Sequence, residues 1–179
     1  MTDTVLNPPV AAADIDAAAR VVAPFAVRTP LLTFPVLNER VGSRVFLKPE
    51  MLQRTGSFKF RGAFNKLASI PQDKRSGGVV AFSSGNHAQG VAAAAKILNM
   101  QATIVMPADS PLTKRERTKS YGAEVVLYDR DRDDRAAIAS GIARLTSQRI
   151  QGSCGQTSTK GARPAARISQ YSSPSDSRL

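Results

Sequence analysis

The sequence predicts an α/β fold: an open parallel sheet with helices on both faces. Two observations predict it. Short apolar runs rich in β-branched residues recur at 78–82, 102–106 and 124–128. Segments of helical length alternate with them at 57–69, 86–98, 111–121 and 134–146. Apolar strands alternating with helices belong to parallel sheets whose faces are covered.

Each element has a local reason. Residues 1–10 hold Pro8 and Pro9 and little to bury, so they are expected to be disordered. Asp14 can cap a short helix reaching Val22, with Ala, Val and Ile on one face. Pro24 and Pro30 end it and begin an extended stretch. Val45-Phe46-Leu47 reads as a buried strand stopped by Pro49. The helix over 57–69 carries Phe58, Phe60, Phe64 and Leu67. The helix over 86–98 is Ala-rich. The next has Pro111 in its first turn and Gly122 after its end. Beyond Gln148 the periodicity stops. Residues 151–179 hold seven serines and scattered Gly, Pro and Arg, so 149–179 reads as an irregular tail, disordered or produced by a shifted reading frame.

Composition narrows the function classes. The 179 residues suffice for one domain and part of another, and 42% hydrophobic content allows a normal core. One cysteine and one histidine exclude a disulfide framework and a Cys/His zinc site, and no metal site is expected. No apolar stretch has membrane-spanning length, and the first thirty residues lack a secretory pattern, so a cytoplasmic protein without membrane contact is expected. The net charge is +11, but the tail from 151 onward contributes +3 of it and the rest is interspersed with acids, as in 129–135. That pattern lacks the basic stripe with interleaved aromatics of a nucleic-acid binder, and none is expected as partner.

Two segments carry chemistry. Ser57-Phe58-Lys59-Phe60-Arg61-Gly62-Ala63 places a lysine in the first turn of a helix. A lysine amine becomes a better nucleophile when burial or a positive field lowers its pKa. The helix N-terminus, the apolar neighbours and the Arg61 cation all act in that direction. Ser83-Ser84-Gly85-Asn86-His87-Ala88-Gln89-Gly90 lies between a strand and a helix. Free amides at a helix start bind anions, and Ser83, Ser84 and Asn86 add donors. The glycine spacing from Gly85 to Gly90 is that of a P-loop, but Val91-Ala92 stand where Lys and Ser/Thr should follow. No dinucleotide fingerprint occurs, and His87 has no nucleophile elbow to serve as base. A plain reading stays open for each segment: snorkelling Lys59 and Arg61 on an amphipathic helix, and a Ser/Asn helix cap at the loop.

Gln53 to Ala63 followed by Ser83 to Gly90 resembles the serine/threonine dehydratase family of fold-type II pyridoxal phosphate enzymes. The similarity runs from about Asp14 to Gln148 and includes Arg28-Thr29-Pro30-Leu31, Leu47-Lys48-Pro49-Glu50 and Tyr121-Gly122-Ala123-Glu124-Val125. The resemblance implies pyridoxal 5'-phosphate as cofactor and a small hydroxy amino acid, L-threonine or L-serine, as substrate. Dehydration and deamination would give a 2-oxo acid and ammonia. Lys59 would carry the cofactor and later move the α-proton. Phe58 would pack beside its ring and Asn86 would hydrogen-bond its phenolic oxygen. Ser83, Ser84, Gly85, Asn86 and His87 would cradle the substrate carboxylate. Ser84 would be the second acid/base, opposite Lys59.

The resemblance also implies a tryptophan synthase β-like arrangement, with 51–148 the small domain and 1–50 the first piece of an incomplete large one. The glycine-rich run that binds the cofactor phosphate in this family is absent, since the tail offers only separated Gly152, Gly155 and Gly161. A truncated form with weak or no activity is therefore expected. A serine racemase, a hydroxyaspartate dehydratase and a non-catalytic interaction fragment stay open, as does a homo-oligomeric full-length parent.

Overall fold

The computed structural model describes residues 10–153, with side chains through 146. The expected disorder of the first residues and the irregular tail beyond 153 lie outside the described residues.

Among the described residues six α-helices and three strands follow in the order α1 (Ala12–Val22), α2 (Pro35–Val41), α3 (Lys59–Ala68), β1 (Val79–Phe82), α4 (Asn86–Ile97), β2 (Ala102–Pro107), α5 (Leu112–Ser120), β3 (Glu124–Tyr128) and α6 (Arg135–Ser153). Short 3₁₀ turns lie at Glu50–Leu52 and Gln72–Gly77. The strands form a parallel sheet in the order β1-β2-β3, with Val79 opposite Ala102 and Thr103 opposite Glu124.

Side chains alternate across a strand, so each strand feeds two cores. Val79, Ala81, Ile104 and Met106 face a cluster built with Phe60, Phe64 and Leu67 of α3 and the Ala-rich α4. Val80, Val105 and Tyr128 face the other way, onto Ala139, Ile138 and Ile142 of α6. Helices on both faces of a parallel sheet are the architecture that the sequence predicts. At the entry to β1, Gly78 has φ +64°, and a Cβ there would stand 2.8 Å from the Gln101 carbonyl oxygen. Only glycine satisfies both conditions.

The α3 stripe is Phe60, Phe64 and Leu67, all fully buried at helical spacing. Phe25, just after α1, stacks on Phe64 with ring centroids 4.4 Å apart, and Phe60 lies 5.7 Å from Phe64. Phe58 is not part of the stripe; the residue is 59% exposed.

Four expectations are corrected. Asp14 is not the cap residue of α1: the helix starts at Ala12, and the Asp14 carboxylate, at its third position, accepts from the Ala11 amide at 2.9 Å. The strand at Val45–Leu47 does not form. Leu47 makes a single antiparallel bridge to Leu32, and Phe46 and Leu47 are exposed. A strand needs a partner along its length, and among the described residues this one finds one only at Leu47. The extended stretch after Pro30 is interrupted by α2, which starts with Pro35 at its first position and ends at Gly42 in the left-handed region. Finally, α6 continues to Ser153, seven residues past the expected end at 146.

Candidate active site

Both segments singled out in the sequence lie at helix starts. Lys59 is the first residue of α3, half-buried, with Nζ 4.9 Å from the centroid of the Phe58 ring. Phe58 occupies the cap position, and no side chain caps the α3 amides. The preceding Ser57 and Thr55 are buried, and their hydroxyls find no hydrogen-bond partner among the described residues.

The second segment follows β1. The Ser83 amide continues the ladder by donating to the Val105 carbonyl at 3.1 Å. The Ser83 hydroxyl accepts from the Gly85 amide at 3.3 Å. Gly85 occupies the cap position of α4, and among the described residues no side-chain hydrogen bond caps that helix either. The loop's side-chain bond goes to the Gly85 amide, and among the described residues neither Ser84 nor Asn86 turns back onto the first-turn amides of α4. An uncapped helix start presents donors and the positive end of the helix dipole outward, which suits a carboxylate or phosphate oxygen. Ser84 and Gly85 are half-buried and Asn86 is exposed. The Lys114 ammonium of α5 lies 3.8 Å from the point a Gly85 Cβ would occupy, adding a cation beside the loop.

The two segments meet through α3 and α4. Gly90 of α4 packs on the Lys59 backbone: a Cβ on Gly90 would come within 3.1 Å of the Lys59 carbonyl carbon. His87, on the same helix, is half-buried and titrates below the usual histidine range, first because burial disfavours its charged form and second because the Lys59 ammonium repels it. The lysine and the loop therefore share one electrostatic environment.

Arg61 departs from the sequence expectation. Rather than lending a free positive charge to Lys59, its guanidinium grips Glu50, Nε to Oε2 and Nη2 to Oε1, both at 2.9 Å. Thr29 donates to Glu50 Oε1 at 2.6 Å, and Lys48 Nζ donates to the Thr29 carbonyl at 3.0 Å. Gln53 adds a two-way bond, accepting from the Val27 amide and donating to the Val27 carbonyl, each at 2.9 Å. The Arg61 hydrogen bond, above all, holds the Glu50 carboxyl at about 2 against the opposing effect of burial; the Thr29 bond and the charges of Arg61 and Lys48 add to it. This clasp ties the segment around Val27–Thr29 to the first turn of α3.

Sequence reasoning brought out Lys59 and the 83–87 loop. It missed Gly90, Lys114 and the buried hydroxyls of Thr55 and Ser57. Of these only Gly90 left a signal: a glycine inside an otherwise Ala-rich helix implies a close approach.

The α3–α4 contact at Gly90 thus brings a half-buried lysine at one helix start beside a second helix start of the kind that binds anions. Comparison with known proteins adds the lineage. Residues 22–174 match the family model described as pyridoxal-phosphate dependent enzyme. The chain belongs to that family, and its cofactor is pyridoxal 5'-phosphate. It is 55% identical over 130 residues to an L-threo-3-hydroxyaspartate ammonia-lyase of Pseudomonas sp, covering 73% of this chain and 41% of that protein. It is 43% identical over 138 residues to a catabolic L-threonine dehydratase of Staphylococcus aureus, covering 76% of this chain and 40% of that one. Maize serine racemase superposes with a TM-score of 0.71 at 36% identity, over 74% of this chain and 40% of that structure. The chain spans about two fifths of the length of these relatives. Among the described residues no helix is long and apolar enough to cross a membrane.

Proposed function

We propose that this chain carries the lysine and carboxylate side of an ammonia-lyase that dehydrates and deaminates L-threonine or L-serine to a 2-oxo acid and ammonia. The observation that carries the reading is the pairing of Lys59 with the uncapped α4 start through the Gly90 contact.

The residues present fit the cofactor. Lys59 offers an amine at a half-buried helix start, the exposed Phe58 ring beside it offers a flat apolar wall, and Asn86 offers an exposed amide donor for the phenolic oxygen. When bound, the cofactor supplies an electron sink for the charge that develops at the substrate α-carbon. The first-turn amides of α4, with Ser83 and Ser84, hold the substrate carboxylate and so fix which α-bond faces Lys59. Lys59 Nζ then takes the α-proton on one face. Ser84 stands as the acid/base for the opposite face. Water is lost from the 3-hydroxyl, and hydrolysis of the resulting enamine releases ammonia and the 2-oxo acid.

A second reading, L-threo-3-hydroxyaspartate as substrate, is favoured by the 55% identity to a protein of that name. A third, serine racemisation, uses the same Lys59 and Ser84 pair and is favoured by the likeness to maize serine racemase.

The test is a pyridoxal phosphate titration of the purified chain followed by its visible absorption band, with Lys59→Ala alongside. A band that the substitution abolishes supports the reading. Assays of 2-oxo acid release from the three hydroxy amino acids, and of D-serine formation, then rank the substrates. A chain folded by circular dichroism that shows no band overturns it as a cofactor-holding unit and leaves the interaction-fragment reading.

A further inference from the structure

We propose that Gly90 is a positioning residue: its missing side chain lets α4 seat against the Lys59–Phe60 peptide, which holds Lys59 next to His87. The inference rests on the reading of Lys59 as the functional amine, but its geometry stands without any cofactor.

Two tertiary contacts bear on the start of α3. Its cap residue, Phe58, makes no side-chain hydrogen bond to the helix amides. The clasp of Arg61 and Glu50 holds that turn toward the N-terminal segment. Toward the sheet and the loop, the restraint is α4 itself. A Cβ at position 90 would lie 3.1 Å from the Lys59 carbonyl carbon, 3.2 Å from its oxygen and 3.2 Å from the Phe60 nitrogen. All three atoms are backbone, so no flexible side chain can swing away. The Phe60 side chain is fully buried, which prevents the turn from retreating. Any larger residue at 90 therefore parts α4 from Lys59 by a few tenths of an ångström or more.

The same helix face carries the readout. His87 stands three residues before Gly90, one turn along α4, so the two share a face. His87 is half-buried and titrates low, first through burial and then through the Lys59 ammonium. The charged groups near this face are Lys59 from α3 and Lys114, which reaches Gly85 from α5; only Lys59 acts on the His87 titration. A change in the spacing of α3 and α4 must therefore appear in the titration of His87. The chain has one histidine, so its imidazole resonances need no assignment.

The experiment is a pH titration of His87 by NMR in the full chain without cofactor, comparing the unsubstituted protein with Lys59→Met, Gly90→Ala and Leu67→Val. Competitive acetylation of Lys59, read by peptide mass spectrometry, accompanies it. Lys59→Met is expected to raise the His87 midpoint toward, but not up to, the usual value, because burial remains. Gly90→Ala should move it the same way by less and change the Lys59 acetylation rate. Leu67→Val lies two turns away in α3; it should lower the melting temperature and move neither readout. A folded Gly90→Ala chain with an unmoved His87 midpoint and unchanged acetylation overturns the proposal, as does a Lys59→Met chain whose His87 is unmoved. Should Gly90→Ala not fold, the nuclear Overhauser contact between the Gly90 α-protons and the Phe60 amide proton in the unsubstituted chain decides: its presence supports the contact and its absence overturns it. Failure of the pyridoxal phosphate titration would leave these outcomes intact, which separates the two readings.

Discussion

Glu50 shows how much a single residue can hold in place. Its carboxylate accepts from Arg61 and Thr29, and its pKa falls from 4.5 to about 2. The folded value lies below the unfolded one, so the stabilisation is complete above about pH 4.5 and is lost as pH falls through about 2. Acid titration of the melting temperature should show this loss, and Glu50→Gln should flatten it; an identical acid profile in the variant would refute the assignment. Arg61→Ala leaves the Glu50 carboxylate without its main donor and is expected to cost about 1.5–3 kcal/mol in urea unfolding. The pair was hidden in the sequence because its members are eleven residues apart and lie in different elements. From the sequence alone Arg61 therefore looks like one more cation beside Lys59. The lysine and the loop were legible because each occupies consecutive positions at a helix start, where local sequence determines geometry. The contact at Gly90 was not, because it depends on the distance between two helices.

Among the elements, α3 and α4 bear most of the packing. Phe60 is fully buried between them, and Phe60→Ala is expected to cost about 3–5 kcal/mol by chemical denaturation. A loss below about 1 kcal/mol would mean that the α3 stripe is not a core. The strands and the helices between them were readable because apolar β-branched runs and helical stripes are properties of contiguous residues. α2 was passed over although Pro35 and Gly42 mark both ends, because seven residues give too short a period to register. The strand expected at Val45–Leu47 failed for the opposite reason: a β-like composition says nothing about a partner. Phe46 instead lies under the Arg44 guanidinium, 5.2 Å from its ring centroid.

Among the described residues, exposed apolar side chains are concentrated in the N-terminal third, including Ile15, Leu31, Phe34, Val36, Phe46 and Leu47. Surface of that kind binds apolar dyes and associates. The purified chain is expected to raise the fluorescence of an anilinonaphthalene dye and to sediment faster with increasing concentration; a dye-silent monomer at all concentrations would contradict this. We propose that this segment, residues 1–50, is the first piece of a larger domain and that 51–148 form a smaller one, with α1 packed on α3 at their junction. Among the described residues the longest unbroken buried run lies in α4, from Ala88 to Ala95, while Asn86, two residues before it, is exposed at an uncapped start. Amide hydrogen exchange should therefore be slowest in the body of this helix, at the rate of global unfolding, and fast in its first turn. A single helix would then join the most persistent structure in the chain to the amides most accessible to solvent: the last part to open would be continuous with the part that is always open.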